Sequence, residues 1–272
     1  MYLLYSRPAS VTGRALRNML GISGGYEPEE PESCSDLLIR WGSRAGVGIK
    51  PNRVVNYRSP LSKVSSKTEF FTLATNKYLP IPRWGWTASD IGGYPCLGRL
   101  DNLSGGEGIK YLFNQTEDEG YEFYTEYIPI EREFRVHVFN DQCITLQEKV
   151  REDGQAGTST GFIPRNHSNG YVFSRKNTKY YPVVASLGVA AVAITGLDFG
   201  AVDIAIDGNT QALRILEVNS APSLEGTTLT EYAVRLGAVC SQVSDSYSTN
   251  ELASRCADYL TFFEGSEDDG EE

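Results

Sequence analysis

The sequence predicts an α/β (α+β) protein in which a small N-terminal α/β lobe precedes two further α+β segments. Three observations predict it. Strand, helix and strand patterns follow one another at the N-terminus, a glycine-rich loop separates two short strands near residue 104, and a run of period-two strands from Glu122 leads to an apolar helix and a strand pair. The expected divisions are 1–60, 61–125, 126–263 and an acidic tail at 264–272.

Residues 2–5 read as a short buried strand, and residues 10–20 as a helix in which Val11, Ala15, Leu16, Met19 and Leu20 recur at helical spacing. Gly21 stops it. Residues 24–35, rich in Gly, Pro and Glu, read as a solvated loop, and 37–41 as a second strand. The segment "RWGSRAG" lacks the lysine of a phosphate loop at the proper offset. A helix is predicted over 62–78, with Ser65 or Ser66 as its cap and Phe70, Phe71, Leu73 and Ala74 as its apolar stripe. Pro80 ends it, and Pro80 with Pro82 holds an extended exit into Arg83, Trp84, Gly85 and Trp86.

Strands at 96–99 and 110–113 flank the loop 101–108. Residues 123–128, 133–139 and 143–151, the last two joined by the turn Asn140-Asp141, predict an antiparallel meander. A polar loop over 152–169 leads to a helix at 181–195. Strands at 199–206 and 212–218 follow around the turn Asp207-Gly208-Asn209, then helices at 231–239 and 251–263, and the tail 264–272 is expected to be disordered.

Composition narrows the function. The chain has 272 residues, 40% hydrophobic and 22% charged, with a formal net charge of -10. Eleven of its acids lie in two segments: Glu27, Glu29, Glu30, Glu32 and Asp36, and then Glu264, Glu267, Asp268, Asp269, Glu271 and Glu272. The remaining body is nearly neutral and has no basic field to gather nucleic acid. The five cysteines are scattered without a close pair, which predicts small buried apolar residues in a reducing compartment rather than a zinc or redox site. The longest apolar stretch, 183–197, is too short for a bilayer crossing of about 20 residues, so no membrane partner is expected and the cytoplasm is the expected address.

The sharpest chemical signal is Asp203 on one strand with Glu217 and Asn219 on the next. Residues two apart on a strand share a face, so Glu217 and Asn219 project together and the hairpin can bring Asp203 alongside. Hard oxygen donors of this kind suit Mg2+, and an unpaired acid inside an apolar strand would be costly. A second signal is Ser104-Gly105-Gly106-Glu107-Gly108, where consecutive glycines allow backbone N–H groups to close on phosphate oxygens. A third is Glu126-Tyr127-Ile128-Pro129 followed by Glu131, Glu133 and Arg135. Here an extended segment can read an adenine edge, an acid can accept ribose hydroxyls and an arginine can clamp phosphate.

In this order the signals resemble the ATP-grasp superfamily of carboxylate-amine or carboxylate-thiol ligases, particularly its small peptide-ligase branch with glutamate ligases and glutathione synthetase. The resemblance runs over 62–228, and the small chain looks most like stand-alone members, some from bacteriophages. "LDFGAVDIAID" and "ILEVNSAPSLEG" are similar to the family's metal-binding hairpin and its exit loop. The resemblance implies two α+β subdomains clasping ATP, with Asp203, Glu217 and Asn219 as ligands of Mg2+ or, in its place, Mn2+. "SGGEG" is similar to the loop covering the phosphates, giving Ser104, Gly105, Gly106 and Gly108. "TEYIPIEREFRV" resembles the linker between the subdomains, with Glu126, Tyr127 and Ile128 at the adenine, Glu133 at the ribose and Arg135 near the phosphates. Lys149 fits a phosphate or acyl-phosphate contact.

Two positions depart from the pattern. Arg99 in "PCLGRL" stands where the family usually has a lysine, keeping the charge and able to bind phosphate bidentately. "GFIPRNHSNG" is loosely similar to an Arg/Asn-bearing segment, which carries over Asn166 with Arg165 as its neighbour. His167 reads as a solvated loop residue and His137 as structural. Ser220, Pro222 and Ser223 follow the metal ligands and could line an acceptor site.

The implied reaction is phosphoryl transfer from ATP to a carboxylate, followed by attack of an amine on the acyl phosphate. The implied partners are a small amino acid or a peptide or protein terminus, with a homo-oligomer left open. The alternative, motivated by Arg99 and the loosely matched loop, is an impaired ATP-grasp nucleotide-binding or protein-interaction module.

Overall fold

A computed structural model describes residues 1–27, 31–101, 103, 106–152, 165–176, 178 and 181–267. The chain divides into two compact units, Met1–Leu61 with Ser220–Glu272, and Ser62–Asn219.

The first unit holds β1 (Tyr2–Tyr5), α1 (Val11–Leu20), β2 (Ser23–Gly25), β3 (Leu37–Trp41) and β4 (Arg53–Val55), in a parallel sheet of order β2-β1-β3-β4. Every residue of β1 and β3 is buried, and both are short runs that are apolar except for Arg40 in β3. Ser10 caps α1, its Oγ accepting from the Gly13 N–H at 3.1 Å, and Gly21 ends the helix in the left-handed region at φ 63°. The expected loop at 24–35 instead contains part of β2 and a 3-10 turn at Pro31–Cys34. A Ser-Gly-Gly edge strand has no side-chain pattern by which to announce itself.

The boundary at Ser62 falls within α2 (Arg58–Ser65), and α3 (Lys67–Asn76) follows in the second unit. The single helix expected over 62–78 is therefore two. Ser66 leaves helical geometry at φ -99°, ψ 123° to cap α3, and its Oγ accepts from the Glu69 N–H at 3.1 Å. β5 (Trp84–Gly85), β6 (Cys96–Arg99), β7 (Ile109–Leu112) and β8 (Phe123–Glu126) form an antiparallel sheet of order β5-β8-β6-β7.

A second antiparallel sheet follows: β9 (Ile130–Phe139), β10 (Gln142–Arg151), β11 (Tyr171–Ser174), then α4 (Pro182–Thr195), β12 (Phe199–Asp207) and β13 (Leu213–Asn219), in the order β11-β10-β9-β12-β13. The expected meander is corrected here, since the strand at Phe123–Glu126 belongs to the first of these sheets. Pro129, without an N–H and with fixed φ, separates β8 from β9, and β9 then pairs with β10 and β12. Asn140 and Asp141 both take positive φ, 46° and 59°, as a tight hairpin turn between β9 and β10 requires.

Alternation along β9 sorts its side chains. Phe134, Val136 and Val138 are fully buried, and α4 lies on their face, where a Cβ on Gly188 would stand 2.5 Å from a Val136 methyl. Glu133, Arg135 and His137 therefore share the opposite face.

After Asn219 the chain returns to the first unit through α5 (Gly226–Ser241) and α6 (Thr249–Glu267), helices that were expected within the 126–263 division. Tyr232 of α5 meets Trp41 of β3 edge-on with centroids 5.5 Å apart. The tail expected to be disordered from 264 begins inside α6, because extending a formed helix adds a hydrogen bond per residue ordered. Residues 268–272 lie outside the described residues. Cys34, Cys96, Cys240 and Cys256 are buried thiols and Cys143 is half-buried. Among the described residues no helix is long and apolar enough to cross a membrane.

Candidate functional site

Strand register assembles the centre of the site. Gln147 on β10 pairs with Arg135 on β9, Arg135 with Asp203 on β12, and Asp203 with Glu217 on β13, so one row crosses four strands. Arg135 donates from Nε to Asp203 Oδ1 at 2.7 Å and from Nη2 to Oδ2 at 2.8 Å, a bidentate fork. Lys149 donates to Glu133 and lies 3.7 Å from Asp203 Oδ2. The Phe173 ring covers both cations, with Arg135 at 4.2 Å and Lys149 at 5.4 Å from its centroid. Asn219 Nδ2 donates to Glu217 Oε1 at 2.9 Å, and the His137 Nε2 lies 2.9 Å from Gln147 Oε1.

Charge and burial oppose each other throughout this row. Burial alone would raise the Asp203 pKa, but Arg135 and Lys149 overcome it and bring the carboxyl down to about 2. Burial likewise works against the charged forms of Arg135 and Lys149, and the facing carboxylates raise both pKa values nonetheless. Burial first, and then Arg135, push the His137 pKa down to about 3, so it is neutral.

A second wall comes from β6 and α3. Arg99 is 8% exposed, its guanidinium 5.6 Å from the centre of the Phe123 ring, and its Nε has no hydrogen-bond partner among the described residues. Burial brings its pKa down to about 10, against the pull of Glu217 and Asp101. Asp101, two residues on, accepts from the Lys67 backbone N–H at 2.6 Å, Ser66 Oγ at 2.6 Å and Thr68 Oγ1 at 2.9 Å. This carboxylate at the N-terminus of α3 fixes the start of Lys67, whose ammonium donates to the Leu103 carbonyl. The Lys67 pKa is lowered by burial, with Glu217 drawing it up and Arg99 down.

Lys67 escaped the sequence reading. A signal for it exists: a lysine directly after a helix cap sits at the unfavourable end of the helix dipole, which calls for a carboxylate or a ligand nearby.

The remaining expected residues lie on the linker and the loops. Glu126 accepts from the Arg83 N–H at 2.9 Å and from Arg83 Nε at 2.7 Å, with Arg214 Nε 3.8 Å away. Tyr127 meets Tyr111 edge-on at 4.9 Å, and Ile128 is buried. Asn166 caps the 3-10 turn His167–Asn169, its Oδ1 accepting from the Asn169 N–H at 3.1 Å and from Ser168 Oγ at 2.9 Å. Arg165 donates to the Ile130 carbonyl. In the glycine loop Gly106 and Gly108 adopt φ of 87° and 68°, backbone that favours glycine. Ser104 and Gly105 lie outside the described residues. The structure thus gathers Glu133, Arg135, Lys149, Asp203, Glu217 and Asn219 on one sheet face, with Arg99 and Lys67 in electrostatic reach of Glu217.

No family model and no curated protein matches this sequence. Solved structures do match: D-alanine–D-alanine ligase from Bacillus anthracis complexed with ATP has a TM-score of 0.62 at 10% identity, over 98% of this chain and 97% of that one. The chain has the ATP-grasp fold. The ATP-grasp ligase PsnB complexed with minimal precursor matches with a TM-score of 0.57 at 14% identity, over 82% of this chain and 91% of that chain. N5-carboxyaminoimidazole ribonucleotide synthetase from Thermotoga maritima gives 0.53 at 11%, over 83% and 69%. Within this ATP-grasp fold the charged row lies on the five-stranded sheet, on the side away from α4.

Proposed function

We propose that the chain is an ATP-dependent carboxylate-amine ligase that forms an amide or peptide bond through an acyl phosphate. The observation that carries this reading is the row of half-buried Arg135, buried Asp203 and half-buried Glu217 with Lys149 beside it, near Arg99 and Lys67. Phosphoryl transfer asks a protein for positioned positive charge more than for a general base. Arg135 spends two of its five N–H donors on Asp203, and Arg99 holds a buried Nε without a partner among the described residues, so both retain donors for phosphate oxygens.

Asp203, Glu217 and Asn219 would hold Mg2+, or Mn2+ in its place. Their hard oxygens share one sheet face, and each Asp203 oxygen keeps a lone pair beyond the arginine fork. Among the described residues no three His, Cys, Asp or Glu side chains form a metal cluster; this trio counts an amide. When bound, the ion supplies neutralisation of phosphate charge.

In this reading Glu126, Tyr127 and Ile128 line the adenine, and the backbone of Gly106 and Gly108 closes over the phosphates with Ser104 and Gly105. Asn166 orders the turn beside β11, and its substrate contact remains part of the proposal. The ribose role expected of Glu133 gives way to an orienting one, because its buried carboxylate is bonded to Lys149. The substrates are an amino acid or a peptide carboxylate and an amine, as PsnB, solved with a precursor, suggests by analogy.

Thermal unfolding with ADP, ATP or GTP, each with and without Mg2+, tests the site, and ADP release with amine and carboxylate pairs tests the reaction. The expected result is a shift that needs adenine nucleotide and Mg2+ and vanishes in Glu217→Ala. A shift without ADP release from any pair would replace the ligase by a nucleotide-binding module; no shift would remove both.

A further inference from the structure

A site for a hard cation binds according to the charge its ligands bring. Of the three residues proposed to hold Mg2+, Asp203 and Glu217 are the acids, and the fold treats them differently. Asp203 is closed into an ion pair. Arg135 Nε donates to Oδ1 at 2.7 Å and Nη2 to Oδ2 at 2.8 Å, and the Lys149 ammonium lies 3.7 Å from Oδ2. Glu217 forms no salt bridge among the described residues; its Oε1 accepts from Asn219 Nδ2 at 2.9 Å.

The two cations on Asp203 are fixed in place. The Phe173 ring covers both, 4.2 Å from the Arg135 guanidinium and 5.4 Å from the Lys149 ammonium, and Lys149 is bonded to Glu133 as well. The Arg135 and Asp203 side chains are 12% and 5% exposed, so solvent ions screen the pair little. Neither partner sheds its charge near neutral pH. Against burial, Arg135 and Lys149 bring the Asp203 pKa down to about 2, and against burial Asp203 raises that of Arg135. A bare divalent ion arriving at Asp203 therefore meets two positive neighbours on the carboxylate that is to receive it. The lone pairs beyond the fork give the ion room, but the pair denies it charge.

We infer that Arg135 keeps the metal site closed to a bare divalent ion and admits the ion only together with a phosphate-bearing nucleotide. The inference deepens the ligase reading and rests on it for the metal ligands and the nucleotide. Phosphate oxygens compete with Asp203 for the N–H groups of Arg135, and each donor that turns to them frees charge on the carboxylate. Their negative charge also offsets the Lys149 ammonium that stays beside Asp203. Coupling of this kind is reciprocal, so the ion strengthens the hold on the nucleotide by the same factor. Arg135 is thus a positioning residue that acts on the metal through Asp203. An arginine that merely oriented Asp203 for the ion would have the opposite effect on metal affinity when removed.

The probe is Mn2+ alone, followed by equilibrium dialysis at physiological ionic strength. The proteins are the full chain and the full chain with Arg135→Gln, each without nucleotide and with ADP free to cross the membrane. Bound metal is the excess on the protein side, so chelation by free ADP cancels. Glutamine keeps an N–H for Asp203 and removes the charge. The expected result is that Arg135→Gln holds bare Mn2+ about tenfold or more tightly than the parent, and that the parent retains Mn2+ once ADP is present. Equal or weaker binding of bare Mn2+ by Arg135→Gln, with circular dichroism showing it folded, would overturn the inference. Should that variant fail to fold, the parent decides alone: bare Mn2+ held as tightly as Mn2+ with ADP would overturn the inference, and retention only with ADP would sustain it. Where the inference fails while the parent still holds Mn2+ with ADP, the ligase reading stands. No Mn2+ on either protein with ADP present would instead remove the metal and nucleotide reading, and the inference with it.

Discussion

Two regions bury arginine in different ways. On the five-stranded sheet Arg135 faces Asp203 through a bidentate fork, with Glu133 and Lys149 completing a set of two cations and two anions. On the parallel sheet Arg40 is as well covered, yet its hydrogen bonds go to two neutral carbonyls. The first arrangement satisfies its charges from within the fold; the second satisfies donors but not charge. The contrast teaches that hydrogen-bond satisfaction and charge compensation are separate requirements.

The sharpest way to break the comparison is to remove one partner from each. Asp203→Ala leaves Arg135 buried beside Lys149 without its carboxylate, and a broken buried pair costs about 3–5 kcal/mol. If the proposed reaction is right, ADP release also falls by about two to three orders of magnitude. Urea unfolding and an ADP assay check both. Arg135→Met combined with Asp203→Leu should recover much of the lost stability, since it removes both charges; a double variant no more stable than Asp203→Ala would contradict the pairing.

Arg40→Met should cost less, about 1–2 kcal/mol by urea unfolding, because two carbonyl contacts are lost while an uncompensated charge is removed. A cost equal to that of Asp203→Ala would mean that Arg40 is compensated as fully as Arg135, and the contrast would fail.

These two regions also differ in how far the sequence discloses them. β1 and β3 were legible to the residue because strands buried on both faces are written as apolar runs. Asp203, Glu217 and Asn219 stood out as polar residues in apolar strands, and period two sufficed to place Glu217 and Asn219 on one face. What local pattern does not contain is register. That Arg135 would face Asp203, or that β8 would join β6, depends on pairing across 68 positions in the first case and on a proline between sheets in the second. Ser66 as a cap was visible, but Asp101 completing it from 35 positions away was not, and so Lys67 was missed. Arg40 reads as one polar residue in an apolar strand, with nothing in the sequence to say that its acceptors are the carbonyls of its own loop.

A smaller effect separates the neutral member of the charged face from its neighbours. His137 is held neutral in the fold with its pKa pushed down to about 3, whereas in the unfolded chain it takes a proton below about 6.5. The unfolded state then binds more protons than the native state, so stability is full above about pH 6.5 and declines as pH falls toward 3. The slope from this group is at most about 1.4 kcal/mol per pH unit. His137→Gln should flatten urea midpoints between neutral pH and pH about 4. An unchanged slope would show that other groups carry the acid sensitivity.

The smallest expected effect lies at the N-terminus of α3, where an uncharged cap and a charged one work side by side. Ser66 Oγ accepts from the Glu69 N–H, while Asp101 accepts from Ser66, Thr68 and the Lys67 N–H. Ser66→Ala removes the cap but leaves Asp101 on the Lys67 backbone, so it should cost about 1 kcal/mol and leave the nucleotide-induced thermal shift nearly intact. Asp101→Ala removes the group that both compensates the helix end and fixes Lys67, so its stability cost should exceed that of Ser66→Ala and the nucleotide shift should shrink with it. Were the two variants to lose nucleotide response equally, the helix end itself, rather than the carboxylate holding Lys67, would be what the site depends on.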